Sequence, residues 1–109
     1  MTQTMVKTVK NYINGEWVEA STNETKEVFN PATGEVIAHV PISTKEDVDR
    51  AVQAAKEAFA EWKEVAVPKR ARLLFKFHQL LVDNWEELAK LITTENGKNY
   101  TEAYGEVQR

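Results

Sequence analysis

The stretch Val36-Ile37-Ala38-His39-Val40-Pro41-Ile42-Ser43-Thr44-Lys45-Glu46-Asp47-Val48 is where the chain changes its period. Up to Val40 the run is short, apolar and rich in β-branched residues, which suits a strand. After Ser43 the apolar residues return every three or four positions. Val48, Ala51, Val52, Ala55, Phe59 and Trp62 form one stripe, the signature of an amphipathic helix. Ser43 with Glu46 three residues on has the form of a capping box, and Glu46 and Asp47 suit the positive end of a helix dipole. The switch near residue 42 separates a hairpin segment from a helical one. This predicts an α+β chain of two N-terminal β-hairpins followed by three or four α-helices.

Upstream of the switch, Asn14-Gly15 lies between Asn11-Tyr12-Ile13 and Glu16-Trp17-Val18-Glu19. Asn-Gly supplies the two positive φ values of a type I′ turn, so a hairpin is predicted with Tyr12 and Trp17 as neighbours across the strands. Asn30-Pro31-Ala32-Thr33-Gly34 joins Glu27-Val28-Phe29 to Glu35–Val40. There Asn bonds the turn backbone, Pro presets φ and Gly closes the turn. Residues 1–10 read as a flexible tail, 11–40 as hairpins and 43–109 as helices. The hairpins are too small to stand alone, so 1–109 is expected to form a single, incomplete domain.

Downstream, the first helix is expected to end near Val65, ahead of Pro68, which fits the first turn of a second helix. Ala71, Leu74, Phe75, His78, Leu81 and Val82 share its apolar face. Asp83 to Glu86 reads as a new cap, so the pattern is expected to break there. Gly97 is a helix stop after Leu91 and Ile92. The last segment, Thr101 to Arg109, reads as helical and stops without a cap, as a fragment would.

Composition narrows the function. The 109 residues carry 14 basic and 17 acidic side chains, interspersed along the chain. They form no basic stripe, which argues against nucleic acid as a partner. No apolar run approaches the roughly 20 residues of a membrane span, and the N-terminus lacks the apolar core of a signal peptide. A cytoplasmic protein with no membrane partner is therefore expected. There is no cysteine, so the chain holds neither a disulfide nor a thiolate nucleophile. No Gly-x-Gly-x-x-Gly turn or phosphate loop occurs. A His-based metal site is a poor fit to His39 and His78, which lie far apart in sequence.

The individual polar and aromatic residues have structural explanations. His78 is expected at the edge of the core and His39 on an edge strand. Trp17, Trp62 and Trp85 read as core residues with the indole N–H reaching a partner. Glu95-Asn96-Gly97-Lys98 reads as a helix stop. On spacing alone, Arg109 is a solvated arginine. Its guanidinium is nonetheless suited to holding a carboxylate through two parallel hydrogen bonds.

Four of these segments, in this order, resemble the aldehyde dehydrogenase superfamily: Asn11–Trp17, Phe29–Ile37, Ala51–Trp62 and Glu95–Lys98. Val40–Thr44, Arg70–Phe77 and Gly105-Glu106-Val107-Gln108-Arg109 are similar to its methylmalonate-semialdehyde dehydrogenase branch. The resemblance implies an α/β parent, with this chain forming the N-terminal part of its coenzyme domain. It also implies NAD-dependent, CoA-acylating oxidation of malonate or methylmalonate semialdehyde to acetyl-CoA or propionyl-CoA, with loss of carbon dioxide, in inositol and valine breakdown. A homo-oligomeric parent is implied as well. The family's cysteine, its acid/base glutamate and its oxyanion asparagine have no counterpart in these residues, so no catalytic residue is assigned. Neither NAD nor coenzyme A is expected to bind this chain tightly. Arg109, which ends the Gly-Glu-Val-x-Arg motif, is the candidate contact for the substrate carboxylate. Two other readings compete. One is a stand-alone helical interaction module, self-associating through exposed apolar helix faces. The other is a small acyl-CoA-binding module, disfavoured because no basic cluster awaits the CoA phosphates.

Overall fold

A computed structural model describes residues 6–109. It contains five strands, β1 (Lys7–Thr8), β2 (Asn11–Ile13), β3 (Glu16–Val18), β4 (Thr25–Phe29) and β5 (Val36–Pro41). Four helices follow, α1 (Lys45–Trp62), α2 (Val67–Asp83), α3 (Trp85–Asn96) and α4 (Tyr100–Gln108). The class is α+β, as the change of period predicts. The chain divides into two compact units. The first joins the described residues up to Phe29 to Val36–Glu64, and the second joins Asn30–Glu35 to Val65–Arg109.

In the first unit, β2 and β3 pair antiparallel with Tyr12 opposite Trp17. Asn14 and Gly15 have φ of 52° and 78°, the pair of positive values that the Asn-Gly turn requires. The Tyr12 and Trp17 rings lie 4.9 Å apart and tilted. Trp17 is 67% exposed, so it is not the core residue expected. A two-stranded ribbon has an outer face, and among the described residues of its unit none covers this one.

The second sheet has the order β1-β5-β4. β1 runs parallel to β5, with Lys7 beside Ala38 and Thr8 beside His39. This corrects the reading of residues 1–10 as a tail at Lys7 and Thr8; residues 1–5 lie outside the described residues. It also moves His39 from an edge strand to the central one, between Thr8 and Glu27. Two charged or polar residues, Lys7 and Thr8, are enough to pair because parallel pairing draws on backbone groups. Their composition gives no strand signal.

The capping box forms one residue later than expected. Thr44, not Ser43, caps α1, and its partner is Asp47, not Glu46. Ser43 Oγ instead accepts a hydrogen bond from Asn11 Nδ2 at 3.0 Å. The Asp47 carboxylate accepts from the Thr44 N–H at 2.8 Å and from the Ser21 N–H at 3.0 and 3.1 Å. Arg50 donates to the same carboxylate and to Ser21 Oγ. Asp47 is buried and ties the loop after β3 to the start of α1. A buried carboxylate needs such donors to remain charged.

The Thr44 amide holds the Asp47 carboxyl well below its usual range; desolvation opposes this, and Ser21 and Arg50 reinforce it. A carboxyl with a depressed folded pKa contributes stability above its unfolded pKa. That contribution is lost as pH falls through the folded value. The melting temperature of the first unit is therefore expected to fall as the pH drops below about 5. Asp47→Asn should melt lower than wild type at neutral pH and show a flatter acid limb. Circular dichroism melts across that range check both.

In the second unit, Asn30–Glu35 forms the expected turn. Ala32 N donates to Asn30 Oδ1 at 2.9 Å, and Gly34 has φ of 76°. α2 starts with Pro68 in its first turn and ends at Asp83, and Asn84 breaks the helix there with φ −109°. The break lies where the sequence predicts it, but no side-chain cap is made: the Asn84 amide donates back to the Leu80 carbonyl at 2.8 Å. His78 is exposed on α2, which corrects its placement at a core edge. The reason is that the apolar face of α2 is itself uncovered in this unit, with Phe75 71% exposed. The stripe of α1 is likewise largely exposed at Val48, Val52 and Phe59 within its unit. Trp62, also expected in the core, is partly exposed.

Candidate functional site

The site is built on the α3–α4 pair. α3 stops at Gly97, whose φ of 82° is the left-handed cap expected there. The ring of Pro31 lies close by, and a Cβ at residue 97 would come within 3.0 Å of its Cγ. Asn99 then caps α4, accepting from the Glu102 N–H at 2.9 Å. The two helices meet through Ala89 and Ala103, each 0% exposed. Small side chains allow this close approach. Beside them the Trp85 ring stacks on Tyr104 at 4.4 Å and 12°. The Trp85 indole N–H donates to the Tyr104 carbonyl at 2.8 Å. Of the three tryptophans, this one behaves as expected.

α4 carries the Gly-Glu-Val-x-Arg motif on its last turn. The Arg109 amide donates to the Gly105 carbonyl at 3.4 Å, so the helical path continues to that residue. Arg109 is exposed and forms no ion pair among the described residues. It borders two shallow depressions. One is lined by Lys98, Glu102, Gly105 and Gln108, the other by His78, Leu81, Val82, Trp85 and Val107. Lys98 Nζ pairs with Glu106 Oε2 at 2.5 Å. The Lys98 hydrogen bond and charge hold the Glu106 carboxyl below its usual range; partial burial opposes this, and Arg109 adds to the lowering.

This arrangement offers a planar cation at the rim of a partly apolar depression. Such a group recognises a carboxylate bidentately. It supplies no thiolate nucleophile, since the sequence has no cysteine. No group of three or more metal-ligating side chains occurs among the described residues. The four glycines stand singly, at three turns and inside α4.

Two features are not evident from the sequence. The Thr44-x-x-Asp47 spacing was available as a capping box but was overshadowed by Ser43-x-x-Glu46. The Lys98–Glu106 pair spans a helix stop and eight positions, so no helical spacing rule reveals it.

The comparisons with known proteins agree with one another. The sequence profile of the aldehyde dehydrogenase family matches residues 17–109. Malonate-semialdehyde dehydrogenase 2 of Oceanobacillus iheyensis is 74% identical over the whole chain, which spans 22% of that relative. A solved structure of a methylmalonate-semialdehyde dehydrogenase from Sinorhizobium meliloti, complexed with NAD, superimposes with a TM-score of 0.92. It is 37% identical, and the match covers 98% of this chain and 22% of that one. Lactaldehyde dehydrogenase from Escherichia coli gives a TM-score of 0.91 at 32% identity, covering 95% of this chain and 22% of its own.

Proposed function

Because the chain belongs to the aldehyde dehydrogenase family, we propose that it is the N-terminal part of a CoA-acylating (methyl)malonate-semialdehyde dehydrogenase. The single observation that carries this reading is the 74% identity to a malonate-semialdehyde dehydrogenase along all 109 residues. The proposed reaction oxidises malonate or methylmalonate semialdehyde with NAD as electron acceptor. It transfers the acyl group to coenzyme A and releases carbon dioxide, giving acetyl-CoA or propionyl-CoA. The working enzyme would be a cytoplasmic homo-oligomer of inositol and valine breakdown.

Within this reading, the 109 residues supply scaffold and one substrate contact. The substrate differs from a simple aldehyde by its carboxylate. A buried carboxylate without a partner is costly, so its site needs a cation. Arg109, exposed and unpaired by acids, is the group in this chain fitted to that task. The thiolate for a thioester would come from outside these 109 residues. Accordingly, the purified 109-residue chain should form no NADH from malonate semialdehyde, NAD and coenzyme A. Absorbance at the NADH band is the readout, and turnover by this chain alone would refute the proposed division of labour.

A second reading is favoured by the uncovered apolar faces of α1 and α2. An exposed apolar helix face marks an interaction site, and on this reading the chain serves as a self-associating helical module. Light scattering separates the two readings. A stable oligomer of defined size supports the module, while ill-defined aggregation supports an enzyme segment lacking its cover.

A further inference from the structure

Arg109 has an acidic neighbour that could consume it. Glu106 lies three residues earlier on the same helix, a spacing at which opposite charges pair across one turn. An arginine occupied by such a neighbour is a weaker receptor for an incoming carboxylate. In the structure the carboxylate gives its ion pair to another cation: Glu106 Oε2 lies 2.5 Å from Lys98 Nζ, reached from beyond the Gly97 helix stop, and Arg109 acts on it through charge alone. Both partners are partly shielded, with side-chain exposures of 31% and 45%. Lys98, Gly105, Gln108 and Arg109 border one depression together with Glu102. Glu102 is a further turn back, beyond pairing distance along the helix for a residue seven positions on.

We infer that Lys98 is a positioning residue for substrate recognition: by engaging Glu106 it leaves the Arg109 guanidinium available to the substrate carboxylate. The inference rests on the reading of Arg109 as the carboxylate contact. It assigns no chemistry to Lys98 itself. The lysine acts through Glu106, and Glu106 acts only as a competitor that has been neutralised.

The test uses the full-length enzyme and steady-state kinetics with two aldehydes, malonate semialdehyde and propanal, which lacks the carboxylate. Lys98→Met should raise KM for malonate semialdehyde two- to fivefold relative to KM for propanal, with kcat nearly constant. Such a factor corresponds to the few tenths of a kcal/mol to about 1 kcal/mol expected of a one-turn ion pair and its charge. Lys98→Met combined with Glu106→Gln should bring the KM ratio back to that of the wild type, because the competitor is then gone. Glu106→Gln alone should leave the ratio unraised.

A rise in Glu106→Gln equal to that in Lys98→Met would show that the pair merely braces α4, and would overturn the inference. An Arg109→Ala effect on the KM ratio without any Lys98→Met effect would also overturn it, while leaving the Arg109 reading intact. A KM ratio unmoved by Arg109→Ala would overturn both.

Discussion

Arg109→Ala in the full-length enzyme is expected to lower kcat/KM for malonate semialdehyde by about 100-fold, close to 3 kcal/mol, while propanal changes little. The estimate follows from the bonding lost. A hydrogen bond to a charged group contributes roughly 1.5–3 kcal/mol, and a bidentate guanidinium makes two that share one side chain. Arg109→Lys should recover only part of the loss. An ammonium keeps the charge but not the planar fork. Equal losses for both aldehydes would mean that Arg109 shapes the enzyme and does not read the carboxylate. Steady-state rates at matched NAD and coenzyme A concentrations decide the point.

Trp85→Ala is expected to destabilise the second unit by about 3 kcal/mol. Three contributions add. The ring stacks on Tyr104, worth roughly 0.5–1.5 kcal/mol beyond area. Its N–H donates to the Tyr104 carbonyl, about 1 kcal/mol. The remainder is apolar surface returned to water, at about 25 cal/mol per Å². Trp85→Phe keeps a ring for stacking and loses the N–H, so about 1–1.5 kcal/mol is expected. The two variants should order as Ala below Phe below wild type. The measurement is amide exchange at Ala89 and Ala103, which lie at the contact between α3 and α4 and report opening of that pair. A loss of α4 order would also displace Arg109, since α4 carries it.

The two predictions depend on features of unequal legibility. The α4 segment was visible as helical from Thr101 onward, and Gly97 was visible as the stop before it. Both follow from local rules: a left-handed cap needs glycine, and a helix ends there. The Asn14-Gly15 and Asn30–Gly34 turns were legible for the same reason, because positive φ and side-chain bonding to the turn are properties of single residues. What could not be read was long-range. Lys7 and Thr8 join a sheet only because β5 presents a free edge. Asp47 outcompetes Glu46 as the partner of a helix cap because Ser21 and Arg50 converge on it; Arg50 lies one helical turn on, but the Ser21 contact leaves no trace in spacing. Lys98 meets Glu106 across a turn.

Burial was the least legible property. Helical periodicity correctly placed Val48, Val52 and Phe59 on one face of α1, and Leu74, Phe75 and His78 along α2. Periodicity tells which residues want cover, not whether it is present. The faces are largely open, and among the described residues the buried ones are the two alanines of the α3–α4 contact and one carboxylate. As for the candidate site, the resemblance to the family singles out the motif ending in Arg109 and leaves its role a proposal. Its position at a depression rim, with the neighbouring acid engaged by lysine, required the fold.

The most direct test of the account is product analysis on the full-length enzyme given malonate semialdehyde, NAD and coenzyme A. The expected result is one NADH, one carbon dioxide and one acetyl-CoA per semialdehyde consumed, the thioester identified by mass spectrometry. Accumulation of free malonate or malonyl-CoA in place of acetyl-CoA, or indifference of the rate and products to coenzyme A, would contradict it.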